Sequence, residues 1–287
     1  MKNTSLIGLG AMGVGIARNV AKAGLLAGVY NRTASKAQAL ANELNVQAFE
    51  TLSDLAATSD VILICVSRDE DVLEVVESIA QTVKPDTIVV DISTVSSSTA
   101  RKAADILVEQ RAKFLDAPVS GGVEGAKNGT LAMMVGGEQT TLEQARPVLS
   151  AMATRIVHMG PVGSGQATKA VNQIMAAGIN QAVTEALAFG AAQQLPMDRV
   201  IEVVAGGAAG NWFLDHRGLT MIHGTFAPGF KLSLHHKDLT ICRAMAELSG
   251  TPIPLADQTR DDYARLIEQG YGDEDISALY RLKRPTD

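Results

Sequence analysis

At 287 residues the chain suits two domains or one large one, and 46% hydrophobic with 20% charged residues describes an ordinary globular protein. A formal net charge of -6 argues against nucleic acid and against an anionic membrane surface as default partners. Aromatic residues make up only 4%, so the core has to be aliphatic.

The chain opens with a short apolar strand at residues 5–10 that runs into glycines, followed by a helix over 11–22 with Gly24 past its end. A second strand at 26–30 leads into a helix at 34–44, for which Thr33 is an N-cap candidate. Then come a buried strand at 61–66, a helix at 69–79, a strand at 87–91 and a serine-rich helix start at 96–110. Strands at 113–116 and 131–136, a helix at 143–152 and a last strand at 155–158 complete the series. Strands alternating with helices at this spacing predict parallel βαβ units with right-handed crossovers. Their uniformly apolar character predicts a doubly wound sheet covered on both faces.

After residue 163 strand signals stop. A long helix over about 165–194 is followed by helices at 197–205, 211–216, 231–249, 253–268 and 275–282, punctuated by Pro228, Gly229, Gly250 and Pro252. The reading is α/β: a Rossmann domain over 1–162, then an all-helical domain over 163–287 opened by the long helix. Thirty helical residues span ~45 Å. Asn172, Gln173, Asn180, Gln181 and Glu185 interrupt every window of it, so it is not a membrane span. Apolar residues on nearly every face predict that it is buried. Lys169, Asn172 and Gln173 share one face, and Asn180 returns to it three turns later. A lysine on the first turn of such a helix opposes the helix dipole, so something other than stability accounts for it.

The pattern Gly8-x-Gly10-x-x-Gly13, with Ala11 and Met12 inside it, lies between the first strand and the first helix. There it reads as a dinucleotide fingerprint: a tight turn, backbone approach to a pyrophosphate, and close helix packing. A glycine-rich turn without ligand is the plainer reading. Where NAD sites place a carboxylate, ~20 residues after the glycines, this chain has Asn31, Arg32 and Thr33. An amide, a guanidinium and a hydroxyl suit a 2′-phosphate, so NADP(H) is expected, with NAD(H) weaker. The strand ends at Val66-Ser67 and at Ser93-Thr94 fall where such sheets bind ligand. Thr94 fits either the nicotinamide half or a plain helix cap.

Ser120, Gly121 and Gly122 follow a strand and offer a hydroxyl and backbone N–H groups for a small carboxylate or carbonyl. Taken alone, Lys237 reads as a solvated residue on a helix. Adjacent His235 and His236 point to different helix faces, so no metal site is expected. Cys65 and Cys242 fit no metal spacing and are read as core thiols of a reducing compartment. The N-terminus runs straight into a strand, with no signal or transit segment expected, and cytoplasmic placement is the default.

Four motifs in order now carry a resemblance that covers nearly the whole chain. They are Gly8-Leu9-Gly10-Ala11-Met12-Gly13, the run from Asp116 to Gly122, Gly163-Ser164-Gly165 through Lys169 and Asn172, and Lys237-Asp238-Leu239. The chain resembles the β-hydroxyacid dehydrogenases, which include 3-hydroxyisobutyrate dehydrogenase, tartronate semialdehyde reductase and glyoxylate/succinic semialdehyde reductase. The resemblance implies that Lys169 is the catalytic acid/base with Asn172 beside it, and that Ser120, Gly121 and Gly122 bind substrate. It further implies that Thr94, Lys237, Val66, Ser67 and Asp71 reach the cofactor. Gln173, Ser67 and Asp71 depart from the family's frequent Asn, Pro and Asn, which bears on the shape of the nicotinamide and substrate pockets.

The expected reaction moves a hydride between NADP(H) and a small aldehyde-acid/hydroxy acid pair without a metal. Desolvation and the helix N-terminus would favour neutral Lys169 as proton donor. An imine reductase of similar fold and a non-catalytic dinucleotide-binding protein are the alternatives. Keeping Lys169, where imine reductases commonly carry Asp or Tyr, counts against the first. A homodimer or homotetramer built on the helical domain is expected.

Overall fold

The computed structural model describes residues 3–284. In chain order the first elements are β1 (Thr4–Ile7), α1 (Ala11–Lys22), β2 (Leu26–Tyr30), α2 (Ala34–Leu44), β3 (Gln47–Ala48) and α3 (Leu52–Thr58). Next are β4 (Val61–Ile64), α4 (Asp69–Ala80), β5 (Ile88–Asp91), α5 (Ser97–Glu109), β6 (Lys113–Asp116), β7 (Val119–Ser120) and α6 (Gly122–Asn128). Then come β8 (Leu131–Gly136), α7 (Gln139–Leu149), β9 (Ala153–Gly160) and the long α8 (Ser164–Ala192). The rest is helical: α9 (Met197–Ala205), α10 (Trp212–Ile222), α11 (Leu232–Ser249), α12 (Pro254–Glu268) and a 3-10 helix at Ile276–Leu282. This is the expected class, a Rossmann-like α/β region, a long helix and an all-helical region. The chain divides into two compact units between Lys169 and Ala170, so α8 begins in one and ends in the other.

In the first unit the sheet runs β3-β2-β1-β4-β5-β6, all parallel. The expectation of parallel pairing throughout fails beyond β6: β8 is antiparallel to β6 and β7, and β9 joins parallel to β8. The cause is α6, a two-turn helix in a stretch the sequence presents as loop, which turns the chain back. It packs on α1 so closely that a Cβ on Gly15 would meet the Ala126 backbone at 2.9 Å, and Asn19 Nδ2 donates to the Ala126 carbonyl at 2.7 Å. The uniformly apolar strands bury both faces. Leu6, Leu63, Val90 and Leu115 enter one layer of core, and Ile7, Ile64, Val89 and Phe114 the other. β9 is the exception. It is longer than expected, and Val157 and Met159 on it are exposed.

Other boundaries shift for local reasons. Ser96 and Asn211 stand outside their helices as caps, their side chains accepting from Thr99 N and Leu214 N. Thr33 holds the cap position of α2 but its side chain makes no capping bond. α7 starts at Gln139 and carries Pro147 inside it, and the segment expected as a last helix is 3-10, capped by Asp275. β3 and α3 are too short to announce themselves.

In the second unit Tyr263, Leu266, Leu232, Leu239 and Leu279 form the core with Ala177, Val183 and Leu187 of α8. The expectation that α8 is buried all round is wrong. Gln173, Asn180, Gln181 and Thr184 are buried, whereas Val171, Met175 and Phe189 are 59%, 60% and 67% exposed. The polar side chains have partners: Asn180 Nδ2 donates to Tyr263 Oη at 2.9 Å and to the Ile276 carbonyl at 2.8 Å, and Gln181 Nε2 to Asp262 Oδ2 at 2.9 Å. Among the described residues no helix is long and apolar enough to cross a membrane.

Candidate functional site

The parallel register sets the C-terminal strand ends level: Ile7 pairs with Tyr30 and Ile64, Ile64 with Asp91, and Asp91 with Asp116. The loops leaving these ends are therefore neighbours, and they carry most of the sequence-predicted residues.

Gly8 has φ +96°, and a Cβ there would stand 2.1 Å from the Cys65 carbonyl oxygen. A Cβ on Gly13 would stand 2.0 Å from the Gly8 carbonyl oxygen, so only glycine lets α1 sit this close to the turn. Gly10 differs. Nothing lies within 4 Å of its missing Cβ, it is the uncapped N-cap of α1, and no acidic residue occupies the first turn. Close packing below and open space above leave the helix N-terminus facing outward, a cradle that fits a pyrophosphate. Exposed Ala11 and half-buried Met12 complete that first turn.

Asn31 is bound into the turn: its Oδ1 accepts from Leu9 N at 2.9 Å and its Nδ2 donates to the Thr33 carbonyl at 3.2 Å. It braces the glycine loop, which leaves Arg32 as the outward donor. Arg32 is 88% exposed and lies 3.7 Å from Asp71 Oδ1, on the acidic first turn of α4. Exposed Thr33 follows.

Behind these loops lie two buried carboxylates. Asp91 Oδ1 accepts from Ser93 N at 2.9 Å, while its Oδ2 has no hydrogen-bond partner among the described residues. Burial pushes its carboxyl up to about 7, against the lowering effect of Ser93 and with Asp116 and Asp69 adding to the rise. The Cys65 thiol is pushed up to about 12 by burial first and by Asp91 second. Neither cysteine is in a disulfide; Cys242 is buried and Cys65 is half-buried just past β4.

Asp116 receives the start of α8. Gly163 N donates to its Oδ1 at 2.7 Å and Gln166 N to its Oδ2 at 2.9 Å. Burial raises this carboxyl too, with those backbone donors pulling the other way. Gln166, 1% exposed, uses its side chain on the β5 loop: Oε1 accepts from Val95 N at 3.2 Å and Nε2 donates to the Ser93 carbonyl at 2.9 Å. Ser93 Oγ in turn accepts from Val66 N at 3.0 Å. Ser67 is exposed and Thr94 half-buried on these loops.

One turn further along α8, Lys169 is 8% exposed and its Nζ donates to the Val119 carbonyl at 2.9 Å, next to half-buried Ser120. Gly121 and Gly122 lead into α6 with no side chain capping it. The first unit thus brings together the glycine cradle, Arg32, Val66, Thr94, Ser120 and Lys169.

In the second unit a polar chain links Asn172 to Lys237. Asn172 Nδ2 donates to Gln173 Oε1 at 2.7 Å, Gln173 Nε2 to Asp238 Oδ2 at 2.6 Å, and Lys237 Nζ lies 3.0 Å from Asp238 Oδ1. Lys237 is therefore partly buried and paired, not the solvated residue its local sequence suggests. His235 is engaged by Tyr263 and the Gln173 carbonyl, each at 3.2 Å. Gln166, Asp91 and Asp116 escaped the sequence reading as site residues. The available signal for Gln166 was its place three residues before Lys169, on the same helix face.

Residues 3–160 match the family described as the NAD binding domain of 6-phosphogluconate dehydrogenase. Residues 163–283 match the one described as NAD-binding of NADP-dependent 3-hydroxyisobutyrate dehydrogenase. An uncharacterized oxidoreductase of Bacillus subtilis is 37% identical over 284 residues, 98% of each chain. The NAD-dependent L-serine dehydrogenase of Pseudomonas aeruginosa is 32% identical over 100% of this chain and 99% of its own. Among solved structures, the Mycobacterium tuberculosis 3-hydroxyisobutyrate dehydrogenase with L-serine superposes with a TM-score of 0.92 at 31% identity, covering 99% of this chain and 100% of that one.

Proposed function

The chain belongs to the 3-hydroxyisobutyrate dehydrogenase-like family of NAD(P)-dependent oxidoreductases, and on that premise we propose that it is an NADP(H)-preferring dehydrogenase of small β-hydroxy acids with Lys169 as its acid/base. The bound nicotinamide supplies or accepts the hydride. Lys169 holds the proton that the carbonyl oxygen gains in reduction, or takes the one the alcohol loses in oxidation. The observation that carries this is the Lys169 side chain itself. It is buried, and its Nζ donates to the Val119 carbonyl, beside Ser120. A buried ammonium near a helix's N-terminal end is a poor stabilising device, and a proton donor held by a carbonyl is a serviceable one.

Ser120 with Gly121 and Gly122 receives the substrate carboxylate, and Asn172 keeps the reacting oxygen in register. L-Serine, 3-hydroxyisobutyrate and 2-(hydroxymethyl)glutarate, named for relatives, share a hydroxymethyl group on the carbon that bears the carboxylate. Tartronate semialdehyde gives the same skeleton on reduction. That shared pattern supports substrates of this kind over glyoxylate and succinic semialdehyde, which lack it.

The test is a panel of these compounds with both cofactors, run on wild type and on Lys169→Ala and Lys169→Arg. Lys169→Ala should lower kcat by ~10² to 10⁴ with cofactor binding near wild type. Lys169→Arg keeps the charge but cannot release a proton at usable pH, and should be almost as slow. Near-normal turnover in the folded arginine variant would leave Lys169 an electrostatic role only.

A further inference from the structure

We infer that Gln166 is a positioning residue that fixes the loops under the nicotinamide half of the cofactor to the helical turn carrying Lys169. The inference rests on the dinucleotide-dependent reading above and concerns a residue to which that reading gives no role.

Gln166 is 1% exposed and grips the backbone on both sides of Thr94, accepting from Val95 N at 3.2 Å and donating to the Ser93 carbonyl at 2.9 Å. Through Ser93 Oγ the same grip reaches Val66 N at 3.0 Å, so the loops after β4 and β5 are tied to one amide. The backbone of Gln166 is itself fixed, its N–H donating to Asp116 Oδ2 at 2.9 Å. Lys169 stands three residues on, on the same side of the helix. The position therefore needs a donor and an acceptor at once, in an uncharged group. Among side chains of this length only glutamine meets that need, since glutamate adds a charge beside Asp116 and cannot donate when ionised. Packing alone would be served by leucine or methionine.

Two variants and two ligands test this. On the reading above, NADPH would extend along the strand ends as far as the Ser93–Val95 loop, whereas 2′,5′-ADP has only the adenosine half and would stop short of it. In Gln166→Leu the NADPH dissociation constant should rise about tenfold, the loss of roughly one hydrogen bond's worth of order, while that for 2′,5′-ADP stays within about twofold. In Gln166→Glu, binding of NADPH should be weak at about pH 8 and recover at about pH 5.5, where the protonated acid can donate to the Ser93 carbonyl. Wild type is titrated alongside because Asp91 and Asp116 face the same loops. Equal loss for both ligands, or no loss for either, would overturn the inference. If Gln166→Leu does not fold, the pH-dependent recovery of Gln166→Glu decides, and its absence counts against. A wild-type chain that binds neither ligand would overturn the dinucleotide reading, and the inference with it.

Discussion

Replacing Asp91 by asparagine should stabilise the protein above neutral pH and leave it unchanged in acid. The carboxyl is fully buried, has one oxygen without a partner among the described residues, and is held up to about 7 by that burial. In the unfolded chain the same group titrates at about 3.9. Between those values the folded state keeps a proton that the unfolded state has lost, so stability falls as pH rises through the window and flattens above about 7. A displacement of about three pH units corresponds to on the order of 4 kcal/mol. Asparagine keeps the acceptor for Ser93 N and cannot ionise, so it should remove the slope. For a unit of this size each kcal/mol moves Tm by about 2–4 °C, which sets a ceiling of roughly 15 °C at about pH 8. The assay is Tm of wild type and Asp91→Asn by calorimetry from about pH 4.5 to 8. The expected signature is a gap that opens with pH. A gap that is constant across the range, or that closes, would refute the claim that Asp91 is protonated in the folded protein near neutrality.

Cofactor choice should turn on Arg32 and on the carboxylate beside it. Wild type should favour NADP(H) by at least about tenfold in kcat/KM, Asn31→Asp with Arg32→Ala should reverse that, and Asp71→Asn, by removing the carboxylate 3.7 Å from Arg32, should sharpen it. Equal or better wild-type activity with NAD(H) would sink this account. Association should follow from Val171, Met175 and Phe189, which lie on one stripe of α8. Light scattering at micromolar concentration should give a dimer or tetramer, and a monomer would contradict it.

Apart from β3, the parallel half of the sheet was legible because its strands are short apolar runs, and a sheet covered on both faces demands that pattern. The antiparallel return was not, because residues 122–128 hold three small or flexible residues in seven and present no helical periodicity. α6 forms through its contact with α1, at Gly15 and Asn19, a tertiary cause invisible locally. Residue types at the candidate site could be read wherever backbone chemistry dictates them, as at Gly8 and Gly13. Asn31 shows the opposite case. Its amide looks like a ligand donor in sequence, yet both its polar atoms serve the turn.

α8 carries the same point to the chemistry. Its hydrophobic content suggested burial on every side, but the buried side holds Gln166, Lys169, Gln173, Asn180 and Thr184 beside Ala177, Val183 and Leu187, and an apolar stripe of Val171, Met175 and Phe189 faces out. Burying polar groups there is tolerated because most of them have partners, which come from far along the sequence: Asp116, Ser93, Val119, Asp238 and Tyr263; among the described residues Asn180 Oδ1 has none. Asp116 answers the question that the helix dipole raises about Lys169. A carboxylate bound to the first free N–H groups offsets the positive end of the helix, so a cation one turn later meets less repulsion than its position alone implies. The same carboxylate orients that turn. If Asp116 gained a proton it would lose charge at the helix start and weaken both backbone bonds, so the setting of Lys169 depends on a group whose own burial favours protonation. Lys169 thus owes its place to contacts made by other residues, which is why spacing could nominate it and only the fold could account for it.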